Sequence, residues 1–164
     1  MANRLMPACA TRVSAMLVAS VFFGCVSTPD TMRNAAAICG GVPLENMSKR
    51  YAELTMAMDF PAMAGLFAED GELVNSGSTR LRGAREIGKF LAGFTEFKVL
   101  THEMTVMQIT GSQRDWQVDG RFRQQVRLPD KNVVVASGRF SANWVCAADN
   151  AWRLRRMATS PAEG

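Results

Sequence analysis

The chain holds one histidine, His102, and so one side chain that ordinarily titrates near neutral pH. Such a group is the natural general base for drawing a proton from a substrate. Alternation along its segment puts His102 on a face with Leu100, Met104 and Val106, an apolar set. Gln124 falls likewise among Trp116, Val118, Phe122, Val126 and Leu128, and Arg156 shares parity with Trp152 and Leu154. A polar group on an apolar face costs roughly 1 to 3 kcal/mol if it finds no partner, so these three residues carry the most information. Tyr51, on a helical stretch nearer the N-terminus, can aim its hydroxyl at them, and Trp144, Phe122 and Phe140 supply apolar walls. Together they describe a small-molecule pocket, apolar with a few convergent polar groups. The chemistry available there is proton abstraction by His102, with Tyr51, Gln124 or Arg156 holding the oxyanion that forms. Each residue also has a structural account: a core histidine bonded to backbone, a glutamine satisfying a strand neighbour, an arginine at a frayed end, a core tyrosine.

The elements that must position these residues follow from periodicity. Tyr51, Leu54, Thr55 and Met58 fall at i, i+3, i+4 and i+7, which predicts a first helix over about Asn46 to Met58. Asp59 before Phe60-Pro61 caps a short second helix carrying Met63, Leu66 and Phe67 and ending near Glu69-Asp70-Gly71. Leu73 and Val74, a Ser76-Gly77-Ser78 turn and Leu81 predict a hairpin. Ile87, Phe90, Leu91 and Phe94 return to helical spacing, with Gly93 near the end of that helix. From Phe97 onward the period is two, in four runs separated by 111–114, 129–132 and 147–150. These are antiparallel strands, and Asp115 to Leu128 and Val133 to Cys146 are long enough to require curvature, for which Gly120 and Gly138 are the natural bends.

The N-terminus carries a different signal. Arg4 and Arg12 precede Val13 to Phe23, an uncharged and mostly apolar run, followed by Gly24 and Cys25. This is the layout of a secretory signal peptide, too short for a bilayer-spanning helix of about 20 residues. Cys25 after Gly24 resembles a bacterial lipobox, whose thiol is acylated, although Phe22 and Phe23 stand where that motif has an aliphatic and then a small residue. Cleavage without lipid after Ser27 or after Ala35-Ala36-Ala37 is the alternative. The expected place is therefore outside the cytoplasm, membrane-anchored through lipid on Cys25 and facing the periplasm, or soluble in the periplasm. The expected organisation is a signal peptide over 1–24, a tether over 25–44 and one domain over 45–160.

Export sorts the four cysteines. Cys9 leaves with the signal and Cys25 takes lipid, so Cys39 and Cys146 remain, either as a disulfide or as two separate buried thiols. No CxxC and no Cys/His cluster supports a metal site. The net charge of +4 becomes +2 when Arg4 and Arg12 depart, too small an excess to argue for a nucleic-acid partner.

The order helix, short helix, hairpin, helix and long antiparallel meander resembles the nuclear-transport-factor-2-like superfamily, and within it the SnoaL-like group. The residues that carry the resemblance are Tyr51 to Leu66, Phe67-Ala68-Glu69-Asp70-Gly71-Glu72-Leu73, Leu81-Arg82-Gly83 leading into Ile87 and Phe90-Leu91, Thr101-His102, and Trp152-Arg153-Leu154. It implies an α+β fold, a cone-shaped domain with N-terminal helices packed on a curved, mostly antiparallel sheet, and a deep pocket between them. It implies no cofactor. Members include isomerases, dehydratases, epoxide hydrolases and polyketide cyclases, as well as non-catalytic modules, so fold leaves function open. The ketosteroid isomerases of the superfamily use a carboxylate base, and no strand carboxylate here has inward parity: Asp115 and Asp119 lie outward and Glu103 is opposite His102.

Three functions follow as expectations. The first is an exported domain binding a small apolar or amphipathic molecule. The second is a cofactor-independent isomerase, dehydratase or cyclase with His102 as base. The third is an interaction module of the cell envelope that forms a homodimer through its sheet.

Overall fold

The computed structural model describes residues 37–75 and 79–162. Two short strands, β1 (Ile38–Cys39) and β2 (Val42–Pro43), precede helices α1 (Glu45–Ala57) and α2 (Phe60–Gly65). Strands β3 (Phe67–Asn75) and β4 (Thr79–Arg82), helix α3 (Ala84–Ala92) and four long strands follow, β5 (Lys98–Ser112), β6 (Asp115–Arg127), β7 (Val133–Cys146) and β8 (Trp152–Pro161). The fold is α+β, as expected, and six strands form one sheet in the order β4-β3-β8-β7-β6-β5. Every pairing in it is antiparallel except that of β3 with β8.

The helix ends obey local chemistry. The Asp59 carboxylate accepts a hydrogen bond from the Ala62 amide at 3.0 Å, and Pro61 occupies the first turn of α2. Gly93 closes α3. The second helix stops earlier than its apolar spacing predicts. Phe67 already belongs to β3, lying beside Leu154 of β8, and the Leu154 amide donates to the Leu66 carbonyl at 2.7 Å. Gly71 is an irregularity inside that strand rather than a helix stop, since a side chain there would meet the Leu154 carbonyl oxygen at 2.7 Å. The hairpin turn expected at 76–78 lies outside the described residues.

Three single-residue β-bulges in β5 and β8 decide which of their side chains face inward, and none falls at Gly120 or Gly138. The pairing of β6 with β7 is unbroken from Asp115–Val145 to Arg127–Val133. Gly120 and Gly138 instead lie opposite Phe140 and Phe122, and a Cβ on Gly138 would stand 2.9 Å from the Phe122 ring. The extra residues are Leu100 and Met107 in β5 and Arg155 in β8. Each one reverses the parity of the strand beyond it. This explains why β5 looks apolar on both sides in sequence: Val99 and Ile109 share the inner face with His102, Met104 and Val106, because a bulge separates the groups.

The core lies between the helices and the inner face of the sheet, centred on Ile87, Val118, Trp144, Leu154 and Met157. Residues within the stretch expected as a tether are attached to it. Cys39 and Leu44 are buried, Cys39 is bonded to Cys146 by a disulfide, and the Trp152 indole N–H donates to the Val42 carbonyl at 2.8 Å. Arg114 ties the neighbouring turns, donating to the carbonyls of Cys146 at 3.0 Å and Ala147 at 2.8 Å. The signal peptide, Cys25 and both alternative cleavage points lie outside the described residues.

Candidate functional site

A cavity of about 390 Å³ opens between the helices and the sheet. From the helical side it is lined by Tyr51, Thr55 and Met58 of α1 and its end, Phe60 and Met63 of α2, and Phe90 and Leu91 of α3, with Phe94 and Phe97 beyond. The sheet contributes His102 and Met104 from β5, Phe122, Gln124 and Val126 from β6, and Val134, Ala136 and Phe140 from β7. None of the described residues lining it is charged.

His102 and Gln124 are direct cross-strand partners, because β5 and β6 pair in antiparallel register at that point. The imidazole Nδ1 lies 3.0 Å from the Gln124 amide oxygen. A carbonyl oxygen only accepts, so Nδ1 carries the proton and Nε2 presents its lone pair. Nε2 is buried and has no hydrogen-bond partner. Burial lowers the pKa of the ring below its ordinary value, and the bond to Gln124 opposes that shift only in part. The ring packs nearly parallel to Phe122, with centroids 6.3 Å apart. His102 is thus a neutral acceptor in an apolar wall, and its partner is a side chain rather than backbone.

Tyr51 lines the same cavity, and burial pushes its hydroxyl up to about 12, so it remains a donor at neutral pH. Phe122 and Phe140 are wall residues, as expected. Two expected members are not. Trp144 is fully buried in the core, away from the cavity lining, and its indole N–H has no partner. It lies beyond Ala142 toward the Cys146 end of β7, opposite Trp116 and Leu154, where the sheet is filled by packing. Arg156 is turned to the outer face by the bulge at Arg155, and donates to Glu72 at 2.9 Å. Arg80 also meets Glu72, at 3.4 Å.

The same bulge brings in residues that parity from Trp152 assigns outward. Beyond it, Met157 and Thr159 face the cavity. Asn75, which in sequence reads as a residue leading into a turn, also lines it, and Thr159 donates a hydrogen bond to its amide oxygen at 3.1 Å. The excess of apolar residues on both parities of β5 was the signal for bulges there. Nothing comparable marks β8. Among the described residues no three histidine, cysteine or acidic side chains stand together to hold a metal ion.

Comparison with known proteins accounts for this architecture. The model of the SnoaL-like domain matches residues 44–158. The chain belongs to the SnoaL-like domain family. Among solved structures, this SnoaL-like chain is similar to a ketosteroid isomerase-like protein from Erwinia carotovora atroseptica, with a TM-score of 0.66 and 17% identity over 73% of this chain and 94% of the other. It is also similar to an NTF2-like protein with a cystatin-like fold from Novosphingobium aromaticivorans, with a TM-score of 0.61 and 17% identity over 73% and 79%. At such identities the likeness shows the fold. No curated protein sequence matches the chain significantly.

Proposed function

We propose that this SnoaL-like domain binds a small, neutral, largely apolar molecule in the cavity between helices and sheet, and that the molecule donates a hydrogen bond to His102 Nε2. The observation that carries this reading is the buried, unpartnered Nε2 of His102, a residue of a cavity whose described lining has no charge. A charged ligand would enter without a counter-charge, at a cost of several kcal/mol. A hydroxyl or N–H satisfies Nε2, and the phenyl rings of Phe90, Phe94, Phe122 and Phe140 contact the rest. The test is titration with the neutral fluorescent probe N-phenyl-1-naphthylamine. Saturable binding at one site, abolished when Ala136→Trp fills the cavity of a still-folded protein, supports the proposal; absence of saturable binding overturns it.

The His102–Gln124 pair favours a second reading, cofactor-independent proton transfer. A neutral Nε2 accepts a proton from a carbon acid, Gln124 holds the opposite N–H, and Tyr51 is available as a donor to the oxyanion. Against it, the lowered pKa makes the imidazole a weak base, and no carboxylate among the described lining residues stabilises the imidazolium. Exchange of α-protons of an apolar ketone into deuterated solvent, dependent on His102, is the deciding measurement.

The place of action proposed for the domain is outside the cytoplasm. The Cys39–Cys146 disulfide fits an oxidising compartment, and Val13 to Phe23 fits a signal peptide. No helix among the described residues is long and apolar enough to cross a membrane. Attachment through Cys25 predicts the added mass of the acyl chains on the intact protein isolated from its host membranes; a mature chain beginning elsewhere rules it out.

A further inference from the structure

We infer that the cavity selects an elongated ligand with a hydrogen-bond donor at one end, read by His102, and an acceptor at the other, read by Asn75. The inference rests on the proposed binding role of the cavity and adds the polarity and shape of what it takes.

The two polar groups are opposite in kind. His102 offers an acceptor, because Gln124 occupies the Nδ1 proton. Asn75 offers donors, because Thr159 already donates to its amide oxygen, which leaves the amide N–H groups for an incoming oxygen. Both residues line the same cavity. Of the remaining polar groups there, Thr55 spends its hydroxyl on the Tyr51 carbonyl of its own helix, at 2.9 Å, and Tyr51 adds a hydroxyl from α1.

The register sets the distance between the poles. Thr159 lies opposite Phe140 on β7, Phe140 lies opposite Gly120 on β6, and Gln124 stands four residues further along β6 beside His102. With strands about 4.8 Å apart and a rise of about 3.4 Å per residue, and with Asn75 one strand beyond Thr159 and His102 one strand beyond Gln124, the two poles are separated by roughly 24 Å between Cα atoms on a flat sheet, and by less on a curved one. Inward side chains shorten the gap further. What spans it is apolar, chiefly Phe122, Ala136, Phe140 and Met157. A rigid hydrocarbon body with a hydroxyl at one end and a carbonyl at the other therefore satisfies both ends, and a molecule with either group alone leaves one pole unmatched.

Three rod-shaped probes test this by displacement of N-phenyl-1-naphthylamine: 4-phenylphenol, 4-acetylbiphenyl and 4-acetyl-4′-hydroxybiphenyl. The doubly substituted compound is expected to bind roughly fivefold tighter than either singly substituted one, the effect of one net hydrogen bond. In Asn75→Val the ratio between the two phenols falls to about one, and in His102→Leu the ratio between the two ketones does. Equal affinity of all three for the unaltered protein overturns the inference, and that comparison needs no variant. If 4-phenylphenol displaces the probe but the acetyl group adds nothing, the two-pole selection fails while cavity binding stands. If none of the three displaces it, the two-pole selection falls, and cavity binding is decided by the saturable binding of N-phenyl-1-naphthylamine itself.

Discussion

His102 on β5 and Gln124 on β6 face each other across an antiparallel pair, with Nδ1 and the amide oxygen 3.0 Å apart. This contact fixes the tautomer of the only histidine in the chain and leaves Nε2 as its open valence. Its consequences for stability and titration are measurable.

Gln124→Leu removes the acceptor and strands a buried N–H, at a cost of roughly 1 to 3 kcal/mol in unfolding free energy. The same change lowers the His102 pKa further, since the bond to Gln124 raises it. Gln124→Glu acts in the opposite direction by placing a carboxylate beside the ring. NMR titration of the imidazole in the two variants checks both directions, and movement of the pKa the same way in both contradicts the geometry.

Stability should depend on pH through His102 with a definite sign. Burial depresses the folded-state pKa below the ordinary value of 6.5, so the unfolded chain takes up the proton first. The contribution is complete above about pH 6.5, is lost as pH falls through the folded-state pKa, and is constant below it. Denaturant unfolding across this range should show the acid-side loss reduced in His102→Gln. An equal loss in both proteins would mean that other groups account for it.

Reducing the Cys39–Cys146 disulfide, or replacing both residues with alanine, frees a loop spanning 107 positions. Chain entropy alone predicts a loss of about 4 to 5 kcal/mol for a loop of that length. Residues 37–44 should detach first, since one indole bond from Trp152 and the burial of Leu44 then hold them. Thermal unfolding with and without reductant measures the loss, and hydrogen exchange locates it.

Arg156→Gln should leave N-phenyl-1-naphthylamine binding unaltered, because the side chain lies on the outer face and not in the cavity. The ion pair with Glu72 is partly exposed, so its loss should cost less than about 1 kcal/mol. A clear fall in probe affinity would return Arg156 to the site.

Gly120→Ala should destabilise the sheet by roughly 1 to 3 kcal/mol. A Cβ there would collide with the Thr105 carbonyl oxygen of β5 and stand 2.5 Å from the ring of Phe140 across β7. Urea unfolding of the single variant measures the cost, and a neutral outcome would show that both the Thr105 carbonyl and the Phe140 ring give way.

Much of this protein was legible in its residues. The spacing of Tyr51, Leu54 and Met58, the Asp59 cap and the unbroken alternation of β6 and β7 are local properties, and the structure follows them. The inward parity of Gln124, Phe122 and Phe140 came from the same alternation. The strands flanking that pair were harder, because one inserted residue reverses every side chain beyond it, and insertion is settled by pairing with a neighbouring strand rather than by the strand's own sequence. Hence Arg156 pointed inward on paper and outward in the fold, while Met157 and Thr159 did the reverse. Trp144 shows a second limit. Its face was right, but whether an inward residue meets a cavity or filled core depends on how far the helices extend over that part of the sheet.

The sequence by itself determined the element types, the α+β class and the candidacy of His102, since these rest on periodicity and on the chemistry of single side chains. Only the tertiary structure decided which polar groups share a cavity, that His102 meets Gln124, and that Asn75 belongs with Thr159. Such contacts join residues 22 and 84 positions apart, and they exist only once strand register and bulges have set the faces.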